Sequence, residues 1–148
     1  MATDSEQARD RVWGLYPWHG QSEVERELVH PEDLERLKFF WPYCRVLERL
    51  GDAAERGFIV LRYGLDTFRV QPDLFQPVTP PAFDFGDEVC LRKDPARTGV
   101  IVDIYWHYQQ GQPFFFIRSG RRRISKRYQA EELLPRPHVS AEHLSLGG

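Results

Sequence analysis

The sequence predicts a mainly β fold of the α+β class, built from two small β units, each a barrel or a sheet. Short apolar segments with a period of two recur along the chain, glycine turns separate them, and a proline-rich stretch divides the chain near its middle. With 41% hydrophobic and 14% aromatic residues, 148 residues suffice for packed cores. We expect an N-terminal unit over residues 11–78 and a C-terminal unit over 79–137, with mobile ends at 1–10 and 138–148.

The stretch QPVTPPAFDFG at residues 76–86 marks the boundary between the two units. Proline removes a backbone hydrogen-bond donor and restricts φ, so neither a helix nor a central strand can pass through it. The two units also end in similar segments, residues 57–77 and 113–137. Each segment contains an apolar strand, a glycine turn, a second strand and a short acidic and apolar turn closed by proline. This repetition predicts that the two units share part of their strand arrangement.

The N-terminal unit is predicted to carry one α-helix on a set of short strands. In HPEDLERLKFFW, at residues 30–41, Pro31 suits the first turn of a helix, and Leu34, Leu37 and Trp41 recur at helical spacing. This helix is too short to be stable alone, so we expect it to pack on a sheet. The strands are predicted near residues 11–16, 24–29, 43–50, 57–63 and 67–71.

The C-terminal unit is predicted to consist of strands joined by tight turns. Apolar residues alternate in GVIVDIYWHY at residues 99–108, and Val89 and Leu91 are expected to point inward from the strand before it. The continuous apolar run at 114–117 suggests a strand that is buried on both faces. Short strands of this kind favour a small closed barrel, because closure removes unpaired sheet edges.

One pattern in the C-terminal unit resembles a known class of fold. Residues 86–134 contain Gly86-Asp87-x-Val89, a loop, Gly99-x-Ile101-x-x-Ile104, a hairpin and a short terminal turn, which is similar to the SH3-like barrels of the KOW and Tudor kind. The resemblance implies a binding module, since such barrels bind RNA, protein tails or other domains. The whole chain, with its WGLYPWHG opening, also resembles an uncharacterised bacterial protein family.

Charge and motif content argue against most kinds of catalytic site. The formal net charge is −2, with 10 Lys and Arg against 14 Asp and Glu in residues 1–80 and 10 against 8 in residues 81–148. The five histidines show no metal-ligand spacing, and the sequence contains no glycine-rich phosphate loop. Ser125 and Lys126 are neighbours on a predicted strand and would face opposite ways. We therefore expect no catalytic residue, no metal and no cofactor.

The expected location is the cytoplasm of a bacterium. No run approaches the roughly 18 apolar residues of a membrane span, and the start, MATDSEQARDR, lacks the apolar stretch of a signal peptide. Arg greatly outnumbers Lys, which is typical of bacterial genes with a high GC content. We therefore expect a soluble protein without a membrane partner.

The segment RSGRRRISKRY, residues 118–128, has six Arg or Lys among its eleven residues. If Ser119-Gly120 is a two-residue turn, Arg118 and Arg121 stand opposite each other. Arg121, Arg123 and Arg127 then share the outward face of the second strand, while Ile124 and Tyr128 point inward. Lys126 falls on the inward parity, so a bulge near Ser125 or a Lys stem that reaches the rim is expected.

These observations select a candidate contact surface for a non-catalytic interaction protein. Its residues are Arg118, Arg121, Arg123, Arg127, Tyr105, Trp106 and Tyr108. The partner could be a protein or a nucleic acid, or the basic hairpin could pair within the chain with the acidic residues Glu23, Glu25 and Glu27. The paired Trp-His motifs at 18–19 and 106–107 form either an aromatic recognition surface or plugs in the barrel ends. An assembly or immunity-type factor, and a small enzyme with a cleft between the units, stay as alternatives.

Overall fold

The computed structural model describes residues 11–136, which form two antiparallel sheets and two short helices. The N-terminal unit contains β1 (Val12–Leu15), α1 (Glu23–Glu27), α2 (Leu34–Phe40), β2 (Val46–Asp52), β3 (Ile59–Tyr63), β4 (Asp66–Val70), a 3₁₀ turn (Pro72–Leu74) and β5 (Gln76–Val78). The C-terminal unit contains β6 (Glu88–Leu91), β7 (Asp94–His107), β8 (Gln112–Ser119), β9 (Arg122–Arg123), β10 (Tyr128–Gln129), a 3₁₀ turn (Ala130–Glu132) and β11 (Leu133–Pro135). The predicted mobile ends, 1–10 and 138–148, lie outside the described residues.

The two sheets have the same strand order. It is β4-β3-β2-β1-β5 in the N-terminal unit and β10-β8-β7-β6-β11 in the C-terminal unit, where β9 also pairs with β8. In both units the first strand pairs with the second and with the last, and a 3₁₀ turn precedes the last strand. The similar ends seen in the sequence therefore belong to two units of one strand arrangement, although the N-terminal unit inserts both helices between its first two strands.

Both sheets are open, so the closed barrel expected for the C-terminal unit is wrong, and of the two forms predicted for the N-terminal unit the sheet is the one observed. In the C-terminal unit, closure would require β10 to pair with β11, but each of these strands pairs only with its neighbour on the other side in the sheet. Strand β10 has two residues, and the chain turns directly from it into the 3₁₀ turn. The sheet edges at β10 and β11 therefore stay unpaired in the described residues.

The predicted helix is present, and one predicted strand is a helix instead. The pattern at 30–41 forms α2, which buries Leu37. The segment predicted as a strand near 24–29 begins with α1, because the Ser22 hydroxyl accepts a hydrogen bond from the backbone N–H of Glu25 at 3.1 Å. Neither helix is long or apolar enough to cross a membrane, and the described residues contain no other helix.

The two units share a hydrophobic core. One cluster lies within the N-terminal unit and includes Trp18 and Leu47, whereas the other combines Trp13 and Val46 with apolar residues of the C-terminal unit. Val46 and Leu47 are neighbours on β2 and are both fully buried, because they face opposite sides of the sheet. The N-terminal sheet is therefore packed on both faces. One face belongs to the core of the N-terminal unit, and the other, at β1 and β2, packs against the C-terminal unit.

Polar groups at the junction are also paired. The Glu48 carboxylate is 4% exposed and accepts hydrogen bonds from Arg11 and, at 2.7 Å, from Arg62. Both arginines also donate to Asp84, which lies after the proline-rich boundary. Burial alone raises the pKa of Asp84, but the hydrogen bonds from the two arginines outweigh it and lower that pKa. The two guanidinium groups lie over the ring of Trp13, so the network continues the shared core.

Candidate functional site

The turn of the basic hairpin lies one residue later than predicted, so the partner of Arg118 lies two residues later. The two-residue turn is Gly120-Arg121, and the directly opposed pairs are Ser119 with Arg122 and Arg118 with Arg123. Gly120 has φ +61°, which suits the first central residue of a type II′ turn. Arg118 therefore faces Arg123 and not Arg121. Two like charges still stand opposite each other, at a cost of about a few tenths of a kcal/mol.

A bulge in β7 determines which side chains point outward from the C-terminal sheet. The pairing of β7 with β8 shifts between Ile101 and Asp103, so Ile101 and Ile104 are both buried. After the bulge, Tyr105 lies on the outer face together with Asp103. On β8, the alternate residues Phe114 and Phe116 are only partly buried. The run at 114–117 is therefore not buried on both faces, as its composition suggested.

Two arginines after the hairpin turn cover these outer aromatic rings. The guanidinium carbon of Arg123 lies 4.1 Å from the ring centroid of Phe116, and that of Arg127 lies 5.0 Å from the ring centroid of Phe114. The rings of Tyr105 and Phe114 are stacked, with centroids 5.7 Å apart and planes 12° apart. We call these five residues, Tyr105, Phe114, Phe116, Arg123 and Arg127, the arginine–aromatic face.

One carboxylate, that of Asp103, anchors this face to the rest of the molecule. Its Oδ2 accepts a hydrogen bond from Nε of Arg123 at 2.9 Å, and its Oδ1 lies 3.5 Å from the guanidinium group of Arg45. Arg45 in turn lies over the ring of Tyr105. Between residues 11 and 136, the Arg123–Asp103 pair is the one ion pair made by the six basic residues of the hairpin, all of which are exposed.

Further basic residues extend the positive surface beside the hairpin. A groove of about 280 Å³ is lined by Arg97, Ser119 and Ile124, and a smaller one of about 130 Å³ is lined by Lys93 and Lys126, among others. The Lys126 ammonium lies over the Tyr128 ring, as expected for a Lys stem that reaches the rim. Ladder pairing is interrupted between β9 and β10, in agreement with the irregularity predicted near Ser125. We call the exposed side chains of Arg97, Arg118, Arg121, Arg122 and Lys126 the basic edge.

The remaining aromatic residues predicted for the contact surface lie elsewhere. Trp106 packs against the shared core, and its backbone N–H donates to the carbonyl of Cys44 at 2.7 Å. Tyr108 stacks on Tyr43 with ring centroids 5.9 Å apart, in a row that continues through His19 to Trp41. The structure thus brings together Tyr105, Arg123 and Arg127 on the arginine–aromatic face. Arg118 and Arg121 lie on the basic edge.

The acidic residues proposed as an internal partner lie on α1. Glu25 uses its carboxylate to accept hydrogen bonds from the backbone N–H groups of His19 and Gln21. Glu23 and Glu27 are exposed, and in the part of the chain that the structure describes no ion pair links α1 to the basic hairpin.

Other kinds of site have little to support them in the described residues. No group of three or more His, Cys, Asp and Glu side chains between residues 11 and 136 is arranged to hold a metal ion. The junction between the units, where a catalytic cleft was the alternative, contains the buried side chains of Trp13 and Val46 and the ion pairs of Glu48.

Sequence reasoning missed Phe114, Phe116 and Asp103 as members of the site. The apolar run at 114–117 gave no alternation to separate an inner from an outer face. The partner strand did contain a usable signal. Arg123 and Arg127 are predicted to point outward, and side chains that lie beside them on the neighbouring strand must point the same way. Asp103 was visible as the one acidic residue in an otherwise apolar strand segment.

Fold and site together define a two-unit β protein with an exposed arginine–aromatic face. The chain belongs to a family of unknown function, DUF6960, which matches residues 6–134. No curated protein and no solved structure matches the chain.

Proposed function

We propose that this protein is a non-catalytic binding protein whose contact surface is the arginine–aromatic face with the adjoining basic edge. A single observation carries the proposal. Six exposed Arg and Lys side chains lie within residues 118–127, and between residues 11 and 136 only Arg123 among them has a carboxylate partner. Since uncompensated like charges oppose one another, their clustering is best explained by an anionic partner that neutralises them.

The strand arrangement of the C-terminal unit supports a binding role of the SH3-like kind. Its order places the last strand beside the first, with a 3₁₀ turn before it, and this agrees with the resemblance seen in residues 86–134. We therefore propose that this unit is an open variant of an SH3-like module. The charged surface, and not the fold, supports the functional proposal, because one fold supports many functions.

The test measures binding of fluorescent anionic probes to the full chain as the salt concentration is varied. The probes are a 20-nucleotide single-stranded oligonucleotide and a poly-glutamate peptide of matched charge. If three or four phosphates are neutralised, the logarithm of the association constant should fall with the logarithm of salt with a slope of roughly −2 to −3. Replacing Arg121 and Arg122 together by Gln should reduce this slope by about 1.

A matched control carries the same change of charge elsewhere. Arg26 on α1 and Arg56 in the β2–β3 loop are exposed and make no ion pair within residues 11–136, so their double replacement by Gln should leave binding unchanged. The proposal is wrong if the natural chain binds neither probe, or if the Arg121→Gln, Arg122→Gln variant binds like the control.

A further inference from the structure

The two guanidinium groups of the arginine–aromatic face each lie over an aromatic ring. Arg123 is fixed from two directions, by the Phe116 ring beneath its plane and by Asp103, which accepts a hydrogen bond from its Nε edge. Arg127 lies over the Phe114 ring in the same way. A guanidinium group that rests on a ring has its second π-face turned away from the protein, and the Arg123 side chain is 45% exposed. The outermost layer of this face is thus a pair of flat cationic planes.

Because a guanidinium group is planar, its edges and its faces bind different kinds of ligand. A carboxylate binds arginine in the plane of the group, at its N–H edges, and Asp103 already occupies the Nε edge of Arg123. A nucleobase, in contrast, stacks on the plane of an arginine or of an aromatic ring. The exposed faces of Arg123 and Arg127 therefore suit bases better than the side chains of an acidic protein.

The spacing of the two planes determines the form of the nucleic acid. The Phe114 and Phe116 rings that support the arginines have centroids 5.9 Å apart and planes inclined at 68° to each other. Bases along one strand of a duplex are separated by about 3.4 Å and are stacked on each other. If one base lies on each arginine, the two bases must separate from each other, which a single strand allows and a duplex does not.

The basic edge lies where the backbone of such a strand would pass. Arg121 and Arg122 occupy the hairpin turn and the start of β9, directly before Arg123 in the chain. In the described residues neither makes an ion pair or lies over an aromatic ring. Arg121, in the turn, can therefore donate to a phosphate while the two ring-backed arginines contact bases, whereas Arg122 alternates with Arg123 on β9 and adds positive charge on the other face of the hairpin.

From this division of roles we infer that the anionic partner is a single-stranded nucleic acid, with bases stacked on Arg123 and Arg127 and phosphates bound by the basic edge at the hairpin turn. The inference rests on the proposed function, since it names the partner of the same surface. Sequence preference is expected to be weak, because stacking on a flat surface accepts every base.

The experiment uses the full chain and oligonucleotides that contain 2-aminopurine, whose fluorescence is quenched by stacking. The ligands are a single-stranded DNA, a single-stranded RNA of the same sequence, the corresponding DNA duplex, and poly-glutamate. We expect at least one single strand to bind about 10-fold or more tightly than the duplex or the peptide, with a change in 2-aminopurine fluorescence on binding.

Two variants separate stacking from charge. Replacing Phe114 and Phe116 by Leu keeps every charge but removes the rings under the arginines, and should weaken single-strand binding about 10-fold with an unchanged salt slope. The Arg121→Gln, Arg122→Gln variant should lower the salt slope and keep the fluorescence change. Phe39→Leu, at a ring that is 95% exposed on α2, is the matched control and should bind normally.

The outcomes distinguish the inference from the proposed function. If poly-glutamate binds as tightly as either single strand, or the duplex does, the surface binds anions but the inference is overturned. If no ligand binds, both are overturned. If the Phe114→Leu, Phe116→Leu variant has a normal circular dichroism spectrum and binds like Phe39→Leu, stacking on the two flat arginines is excluded as the mode of binding.

Discussion

Among single residues, Asp33 shows how a buried charge is compensated in this protein. It is 5% exposed, and its carboxylate accepts hydrogen bonds from the backbone N–H and guanidinium group of Arg69 and from Arg36. Burial alone raises the pKa of Asp33, but the hydrogen bonds donated by Arg69 and Arg36 outweigh it and hold the pKa well below its usual range. The ionised form is thus the form that the folded state stabilises.

Replacing Asp33 by Asn should lower the free energy of unfolding at pH 7 by about 2 kcal/mol, because the buried side chain would lose the charge-assisted hydrogen bonds donated by Arg69 and Arg36. Since the folded pKa is depressed, the stabilisation from Asp33 is complete above its unfolded pKa of about 4 and is lost as the pH falls below it. Urea unfolding at pH 7 and at pH 3 should therefore show a smaller difference for the variant than for the natural chain. Asp66→Asn, at an exposed carboxylate, is the control. An equal pH dependence in both chains would contradict the prediction.

Asp33 also illustrates which features of a single residue can be predicted from the sequence. The sequence placed this acid correctly near the start of a helix, where it is the residue before α2. It did not show the partner, because Arg69 lies 36 residues later and becomes a neighbour only when β4 packs beside the helix. The same limit applies to Trp106, whose contacts with the shared core depend on the N-terminal unit.

At the level of elements, the two units use the same turn at equivalent hairpins. Gly64-Leu65 joins β3 to β4 and Gly120-Arg121 joins β8 to β9, with φ +62° and +61° at the glycines. The second residue of each turn has no positive φ, which is the pattern of a type II′ turn. Leu65 is fully exposed because it occupies the tip of such a turn.

Replacing either glycine by Ala should therefore destabilise the protein by about 1 kcal/mol, since a side chain is disfavoured at positive φ. Arg121→Ala, one position later in the same turn, should change the free energy of unfolding by less than about 0.5 kcal/mol. Chemical denaturation of the three variants tests this difference. Equal effects of Gly120→Ala and Arg121→Ala would show that the backbone conformation at Gly120 is not what the turn requires.

The strands were largely predictable, but their register was not. Alternation located most strands to within a few residues, and the predicted irregularity near Ser125 occurs. Both Ser119-Gly120 and Gly120-Arg121 are chemically suitable as the two-residue turn. Moving the turn by one residue changes every opposed pair in the hairpin. The segment after Ser22 alternates Glu with other residues, which mimics a strand, although the Ser22 cap and two acids in its first turn favour a helix.

At the level of the whole molecule, the repeated strand order was partly visible in the sequence. The similar segments at 57–77 and 113–137 correspond to the last strands of each unit. The first strands, VWGL in β1 and EVCL in β6, have little sequence similarity, although both contribute to the core that the two units share. Sheet closure could not be decided from the sequence, because it depends on whether the residues around two short edge strands extend far enough to pair.

The shared core and the paired charges at the junction imply that the two units unfold together. Tyr63 on β3 makes the most direct polar link, since its hydroxyl donates to Asp103 at 3.0 Å and accepts from the backbone N–H of Ile104 at 2.9 Å. Burial, followed by the nearby charge of Asp103, raises the pKa of this phenol, so it stays a neutral donor. Asp103 also holds Arg123, which connects the junction to the arginine–aromatic face.

Replacing Tyr63 by Phe should lower the free energy of unfolding by about 2 kcal/mol, because the Ile104 N–H would be buried without an acceptor. Hydrogen exchange should show that the slowest amides of β3 and β8 lose protection by the same factor, as expected when both sheets open in one cooperative step. Tyr108→Phe, at an exposed phenol, is the matched control and should leave exchange unchanged. If β3 alone loses protection, the C-terminal sheet is stable without the N-terminal unit, and the shared core does not couple the two.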